Sequence, residues 1–174
     1  KIYEKRPSGP ICTVSHILST TLHELAHASH SCRMSKDEYD NTSLFVKESW
    51  AVAAEWHLSL HEYKRLGANS YKLDSLHSDK AEQFWPYLGR SDIYSPMFID
   101  MIDNFNQKNL YSDYFYIPVD NVVGYTLGMI DKNLTSIRNY NNVESFMLNN
   151  IPSGVTINQI NEFLKMYIEK WTEK

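Results

Sequence analysis

Cysteine is scarce in this chain, which has only Cys12 and Cys32 among its 174 residues. The two bracket a predicted helix, whose rise of about 1.5 Å per residue would hold them roughly 30 Å apart, well beyond the ~7 Å that a disulfide allows. We therefore expect two packed free thiols and no disulfide framework. Two such thiols fit a cytosolic, periplasmic or secreted location equally.

Long apolar runs and dense clusters of basic residues are also missing. No stretch approaches the ~20 consecutive apolar residues of a membrane-spanning helix, and the first residues lack the apolar run of a signal peptide. The formal net charge is -4, and no group of Lys and Arg offers a surface for nucleic acid or for an anionic membrane. We expect no nucleic-acid partner and no transmembrane segment.

The chain does have enough apolar residues for a core, with 43% hydrophobic and 13% aromatic residues. Its length and composition predict one domain over residues 1–174. The sequence begins at Lys1 rather than at Met, so we expect that an upstream segment is missing. No internal repeat, low-complexity tract, glycine-rich phosphate loop or linker divides the chain.

Apolar periodicity predicts a mainly helical fold. A first helix is predicted from Val14 to Cys32, where apolar residues recur every three or four positions. A second extends from about Leu44 to Leu66 and is ended by Gly67. The segment from Met34 to Ser43 is acidic and polar, and it is predicted to be an exposed loop.

The rest of the chain predicts further helices and at most one short strand. Pro96 opens one predicted helix, which continues through Phe105, and Pro118 opens another, which contains residues 122–134. A short helix is predicted over 143–148. The last helix begins near Ile160, after the capping box Thr156-Ile-Asn-Gln159. Alternating residues at 114–117 indicate the strand. The predicted fold class is mainly α, or α+β with a small sheet.

His23 and His27 stand four residues apart in His-Glu-Leu-Ala-His on the first predicted helix. At this spacing both imidazoles leave the same helix face and can reach one ion at about 2.0–2.1 Å. Glu24 is turned about 100° from His23, where its carboxylate can take a proton from a bound water. This run on a helix is a known zinc-peptidase signature, and it predicts a Zn²⁺ site that activates water.

The leucines of the same helix are predicted to anchor it in the core. Leu18, Leu22 and Leu25 fall on the side opposite to the histidines, which would then face a cleft. The alternative is a pair of surface histidines with a solvated glutamate, and the combination of helix and spacing disfavours it.

A third protein ligand is available on the second predicted helix, where Glu48 follows His27 with twenty residues between them. With Glu48 the pattern resembles the gluzincin group of zinc metallopeptidases, the thermolysin-like and aminopeptidase-like enzymes, in which a glutamate on the following helix completes the site. The resemblance implies that His23, His27 and Glu48 bind Zn²⁺, that Glu24 is the general base and that a zincin-like helical core surrounds them. Its specific part covers roughly residues 21–55.

Glu55 is the rival for the third ligand, because it lies two turns beyond Glu48 on the same face. In thermolysin-like relatives an Asp often stands four residues after the ligand glutamate and orients a zinc histidine, but here that position is Val52. Glu55 is a candidate for this orienting function as well, and a solvated or salt-bridged helix residue is the alternative. The related metzincin pattern is disfavoured, since it would place a glycine at His30 and a histidine at Arg33.

Peptide cleavage also needs a hydrogen-bond donor for the oxyanion, and gluzincins often use a downstream Tyr or His. Tyr125, in Val-Val-Gly-Tyr-Thr-Leu-Gly, is our candidate, against the alternative of a simple core tyrosine. The implied function is a zinc-dependent peptidase that acts on peptide or protein substrates. A catalytically inactive zincin-like binding module is the second reading, motivated by Val52 and by the short segment before the first helix.

Overall fold

The computed structural model describes residues 14–65, 95–104 and 121–171. In this part the chain forms seven α-helices and one 3₁₀ turn, with no β-strand. The helices are α1 (Val14–Ser31), α2 (Lys36–Asp40), α3 (Leu44–Arg65), α4 (Met97–Asp100), α5 (Leu127–Asn133), α6 (Tyr140–Asn149) and α7 (Ile157–Trp171). The mainly α class is confirmed here, whereas the predicted strand at 114–117 and the Gly67 cap lie outside the described residues. None of these helices is long and apolar enough to cross a membrane.

The helices α1 and α3 form the pair that carries the histidines. They run antiparallel, because His27 faces Glu48 while His23, one turn earlier on α1, also faces Glu55, which lies later on α3. Small buried side chains on both helices let their backbones approach. The indole N–H of Trp50 donates to the carbonyl of Ala26 at 3.2 Å, which fixes the register of the pair.

The inward face of α1 differs from the prediction. Ser19, Ala26 and His30 are buried, whereas Leu25 is 58% exposed and Cys32 is an exposed free thiol. The prediction that Leu25 helps to anchor α1 in the core was therefore wrong, whereas Leu18 and Leu22 are half-buried. The expectation of a packed thiol at Cys32 was wrong as well. The histidine face itself is turned toward α3, since α3 presents carboxylates and small side chains to it.

A short helix, α2, occupies the segment that was predicted to be an exposed loop. Ser35 caps this helix: its Oγ accepts from the N–H of Glu38 at 3.2 Å, and its own N–H donates to Glu38 Oε2 at 2.9 Å. Arg138 donates to Glu38 Oε1 at 2.6 Å and ties α2 to the segment before α6. These contacts hold Tyr39 beside the α1–α3 pair.

Residues 121–126 are not helical, contrary to the helix predicted from Pro118. Gly124 has a φ of 102°, which L residues rarely adopt. Thr126 then caps α5 by accepting from the N–H of Met129 at 3.1 Å, so the helix begins only at Leu127.

The remaining helices follow the sequence pattern more closely. The predicted short helix at 143–148 is confirmed as part of α6, and the capping box before α7 is present, with Thr156 N–H donating to Gln159 Oε1 at 2.9 Å. The helix expected through Phe105 is shorter, since α4 ends at Asp100. Buried apolar residues of α3, α4, α6 and α7 belong to one core.

Candidate metal centre

His23, His27 and Glu48 bring three possible ligand atoms together between α1 and α3. The two Nε2 atoms are 3.1 Å apart, and Glu48 Oε2 lies 3.3 Å from His23 Nε2 and 3.4 Å from His27 Nε2. These separations are close to the ~3.3 Å edge of a tetrahedron whose corners lie about 2.0–2.1 Å from its centre. The three side chains could therefore bind a metal ion. We call them the metal group.

The polar atoms of the metal group are poorly satisfied by the protein alone. Glu48 Oε2 and His27 Nδ1 are buried and form no hydrogen bond of acceptable geometry with any described residue. Buried polar atoms without a partner cost free energy. An ion placed among the two nitrogens and the carboxylate would engage the Glu48 oxygen, so the residues present fit a bound cation.

Opposite charges hold the metal group together at neutral pH. Burial lowers the pKa of His23, but the contacts with Glu48 and Glu55 outweigh it and raise the pKa to about 9. Burial raises the pKa of Glu48, but the two histidines outweigh that effect and bring it to about 2. Both shifts describe the same attraction, a cationic imidazole beside an ionised carboxylate. A metal cation would take the place of the proton.

Glu55 lies outside the triangle, on the other ring nitrogen of His23. Its Oε2 is 3.1 Å from His23 Nδ1, and its side chain is 16% exposed. Of the two glutamates that the sequence left open, Glu48 is thus the one whose oxygen faces both imidazoles. Val52, the position of the orienting Asp in thermolysin-like enzymes, is buried in the core.

Glu24, the predicted general base, is exposed on α1 directly after His23. Its carboxylate makes no hydrogen bond or ion pair with another residue in the described ranges. A carboxylate in this position is open to water. Its role as a base stays a prediction.

Tyr125 is placed in the core and not against the metal group. Its side chain is 1% exposed, and its hydroxyl donates to the carbonyl of Met147 at 2.8 Å. Burial raises the pKa of Tyr125 to about 12, so the phenol keeps its proton. The ring also packs on Phe146, with 5.7 Å between the centroids. These contacts give Tyr125 a structural function, and its role as oxyanion donor stays a prediction.

Tyr39 is an aromatic residue near the metal group that the sequence analysis missed. Its ring lies edge-on to the ring of His30 at 5.2 Å, and the Lys47 ammonium lies 4.7 Å above it. Burial raises the pKa of Tyr39, and nearby carboxylates that include Glu48 and Glu24 raise it further. The charges of Glu48, in the metal group, and of Glu24 therefore both act on the pKa of this phenol. The signal that could have placed it is the Ser-Lys-Asp-Glu capping box that starts α2.

An apolar pocket of about 380 Å³ lies between α1, α3 and α5. It is lined by Leu22, Leu25, Ala26, Ser29, Trp50, Ala54, Leu58, Leu127, Gly128 and Asp131. No member of the metal group lines it. The metal group and this apolar pocket are thus separate features of the α1–α3 pair.

No protein-family model, curated protein or solved structure matches this chain. The possible metal site is therefore argued from its own geometry. The gluzincin resemblance rests on the motif and on the placement of Glu48 alone.

Proposed function

We propose that this protein is a zinc-dependent peptidase of the gluzincin type, with His23, His27 and Glu48 as its zinc ligands. The observation that carries the proposal is the triangle of ligand atoms with sides of 3.1, 3.3 and 3.4 Å. Two imidazole nitrogens and one carboxylate oxygen are the donor set of catalytic zinc sites that keep a fourth position for water. A structural zinc site is closed by four protein ligands, and the described residues bring three together.

Zinc bound here supplies Lewis acidity, which lowers the pKa of a water ligand to near 7. Glu24 acts as general base on the attacking water and then passes the proton to the leaving amine, so that its carboxylate ends the cycle ionised. The exposure of Glu24 favours this role, because a base that handles solvent protons must contact water. The substrate is a peptide or a protein.

The oxyanion that forms during attack needs a hydrogen-bond donor, and two tyrosines compete for this role. Tyr125 is the residue that the sequence indicated, but its proton is donated to Met147 in the core. Tyr39 lies beside the α1–α3 pair, where its ring packs edge-on to His30 and under the Lys47 ammonium. Because the Tyr125 proton is committed to the core, we propose Tyr39 as the donor in its place.

Zinc analysis combined with peptide hydrolysis by the purified full chain tests the proposal. We expect one bound zinc per chain and cleavage within a mixed peptide library. Glu24→Gln should keep the zinc and lose about 100-fold or more in kcat, the usual contribution of a general base. Glu162→Gln, an exposed change of the same kind on α7, is the matched control and should leave kcat unchanged.

The outcomes separate the candidate functions. A chain that binds no zinc, or that loses no zinc when Glu48 is replaced by alanine, contradicts the metal site itself. A chain that binds zinc through the metal group but cleaves no library peptide is the inactive zincin-like binding module. This second candidate is favoured by one observation, the burial of Val52 where thermolysin-like enzymes place an orienting Asp.

A further inference from the structure

We propose that Glu55 is a positioning residue that makes His23 the anchored ligand of the metal group and leaves His27 as the adjustable one. The inference rests on the metal-binding part of the proposed function and does not depend on peptidase activity. The inference concerns the hydrogen-bond partner of Nδ1 in each imidazole, which the described residues supply for His23 and not for His27.

The ring of His23 is held from both sides by α3. Its Nδ1 lies 3.1 Å from Glu55 Oε2, while its Nε2 lies 3.3 Å from Glu48 Oε2. A neutral imidazole has one N–H and one lone pair, so a proton on Nδ1 that is donated to Glu55 leaves the lone pair on Nε2. Glu55 thereby selects the tautomer in which Nε2 can bind a cation, and it fixes the plane of the ring.

His27 has no such support. Its Nδ1 is buried and has no hydrogen-bond partner among the residues that the structure describes. When His27 Nε2 presents its lone pair to an ion, the Nδ1 proton has no acceptor within residues 14–65, 95–104 and 121–171, which costs free energy. Apart from its contacts within the metal group, packing sets the orientation of this ring, so we expect it to adjust more readily than the ring of His23.

The antiparallel arrangement explains why Glu55 can supply this support. Glu55 stands seven residues after Glu48, about two turns or roughly 10 Å along the axis of α3. His23 precedes His27 on α1, so it lies nearer to the later part of α3. Position 52, between the two glutamates, holds a buried valine, whose side chain cannot accept a hydrogen bond. The carboxylate that orients the histidine therefore comes from the next turn.

Zinc affinity, measured by competition with a chromophoric chelator on the full chain, is the direct test. Glu55→Met removes both the charge and the acceptor oxygen, and we expect zinc to bind about 10- to 100-fold more weakly, as for other outer-shell partners. Glu55→Gln keeps an oxygen that can accept from Nδ1, and it should recover most of the affinity. Glu62→Met, seven residues further along α3, is the matched control and should leave the affinity unchanged.

Simple attraction between the Glu55 charge and the cation predicts another pattern. In that case Glu55→Gln and Glu55→Met weaken zinc binding equally, which would overturn the inference. The same substitutions in histidine backgrounds give a second criterion: Glu55→Met should still weaken binding in a His27→Ala chain and should have no effect in a His23→Ala chain. Equal losses in the two backgrounds would also refute positioning.

Nuclear magnetic resonance of the zinc-loaded protein gives a readout independent of affinity. We expect a His23 Nδ1 proton that exchanges slowly with solvent and whose signal is lost in Glu55→Met. An unchanged signal would contradict the inference. If the wild-type chain binds no zinc, this inference and the proposed function both fail; if it binds zinc without hydrolysing peptides, only the peptidase proposal fails.

Discussion

The hydroxyl of Tyr125 can be removed without changing its ring by the substitution Tyr125→Phe, which separates a structural from a catalytic role. The hydroxyl donates to the carbonyl of Met147 at 2.8 Å in a site that excludes water. That carbonyl also accepts the N–H of Asn150 at 3.2 Å, so it keeps a partner after the substitution. The loss should therefore be that of one ordinary buried hydrogen bond, about 1 kcal/mol of unfolding free energy.

Urea unfolding and steady-state kinetics on the same preparation measure the two effects. A loss of about 1 kcal/mol lowers the midpoint of thermal unfolding by roughly 2–4 °C in a chain of this size. Since the hydroxyl is committed to the core, kcat for any peptide that the wild-type chain cleaves should stay unchanged. Removal of a true oxyanion donor would instead lower kcat by about 10²–10³.

Two further tyrosines serve as controls. Tyr140 also donates its hydroxyl to a backbone carbonyl, that of Leu164, and Tyr140→Phe should reproduce the modest loss of stability with full activity. Tyr39→Phe should do the opposite, with a large loss of kcat and little change in stability. If Tyr125→Phe lowers kcat a hundredfold while the chain remains folded and holds zinc, then the structural assignment of Tyr125 is refuted.

Three more predictions concern stability. Zinc at about 100 times its dissociation constant should stabilise the fold by about 2.7 kcal/mol in thermal unfolding, and a chelator should remove this stabilisation. A variant that lacks one ligand of the metal group and still shows the full stabilisation would count against that group. The pKa of His30 is lowered from 6.5 to about 4 by burial and, to a smaller extent, by the charges of His27, Lys47 and Arg33. As the pH falls, His30 is therefore protonated in the unfolded chain at a higher pH than in the folded chain. Stability should then decrease by roughly 2–3 kcal/mol between about pH 6.5 and 4, and urea titrations of a His30→Gln chain in chelator should lack that part of the decrease. Gly124→Ala should destabilise the fold by about 1 kcal/mol or more, because the φ is 102° and the new Cβ would lie 2.9 Å from Pro152. Gly128→Ala, in α5, meets nothing closer than 4.0 Å and should be neutral or slightly stabilising. Equal melting temperatures of Gly124→Ala and the wild-type chain would contradict the first expectation.

The pairing of His23 and His27 could be predicted from the sequence because it depends only on local helix geometry. The direction in which that helix face points could not be predicted from local helix geometry. It depends on what α3 presents, namely Glu48, Glu55 and small side chains, and these lie more than twenty residues away. Leu25 shows the consequence, since its periodicity fits a core stripe while the folded chain leaves it 58% exposed.

The segment before α5 shows a second limit of local patterns. Apolar residues at Val122 and Tyr125 fit a buried helix as well as a buried extended segment. The choice is made by Gly124, whose backbone passes close to Pro152, and by a hydrogen bond from Tyr125 N–H to the carbonyl of Met101 at 3.1 Å. Both partners are distant in the chain, so no window of neighbouring residues contains them.

For the proposed peptidase, the orientation of α1 also limits the side from which a peptide could reach the metal group. At about 100° per residue, Glu24 is turned one way from His23 and Leu22 the other way, so the predicted base and the apolar pocket lie on opposite flanks of α1. A peptide bond that is attacked with the help of Glu24 would therefore lie on the flank of α1 away from Leu22. Under the proposed function, we expect the apolar pocket not to determine which bond is cleaved.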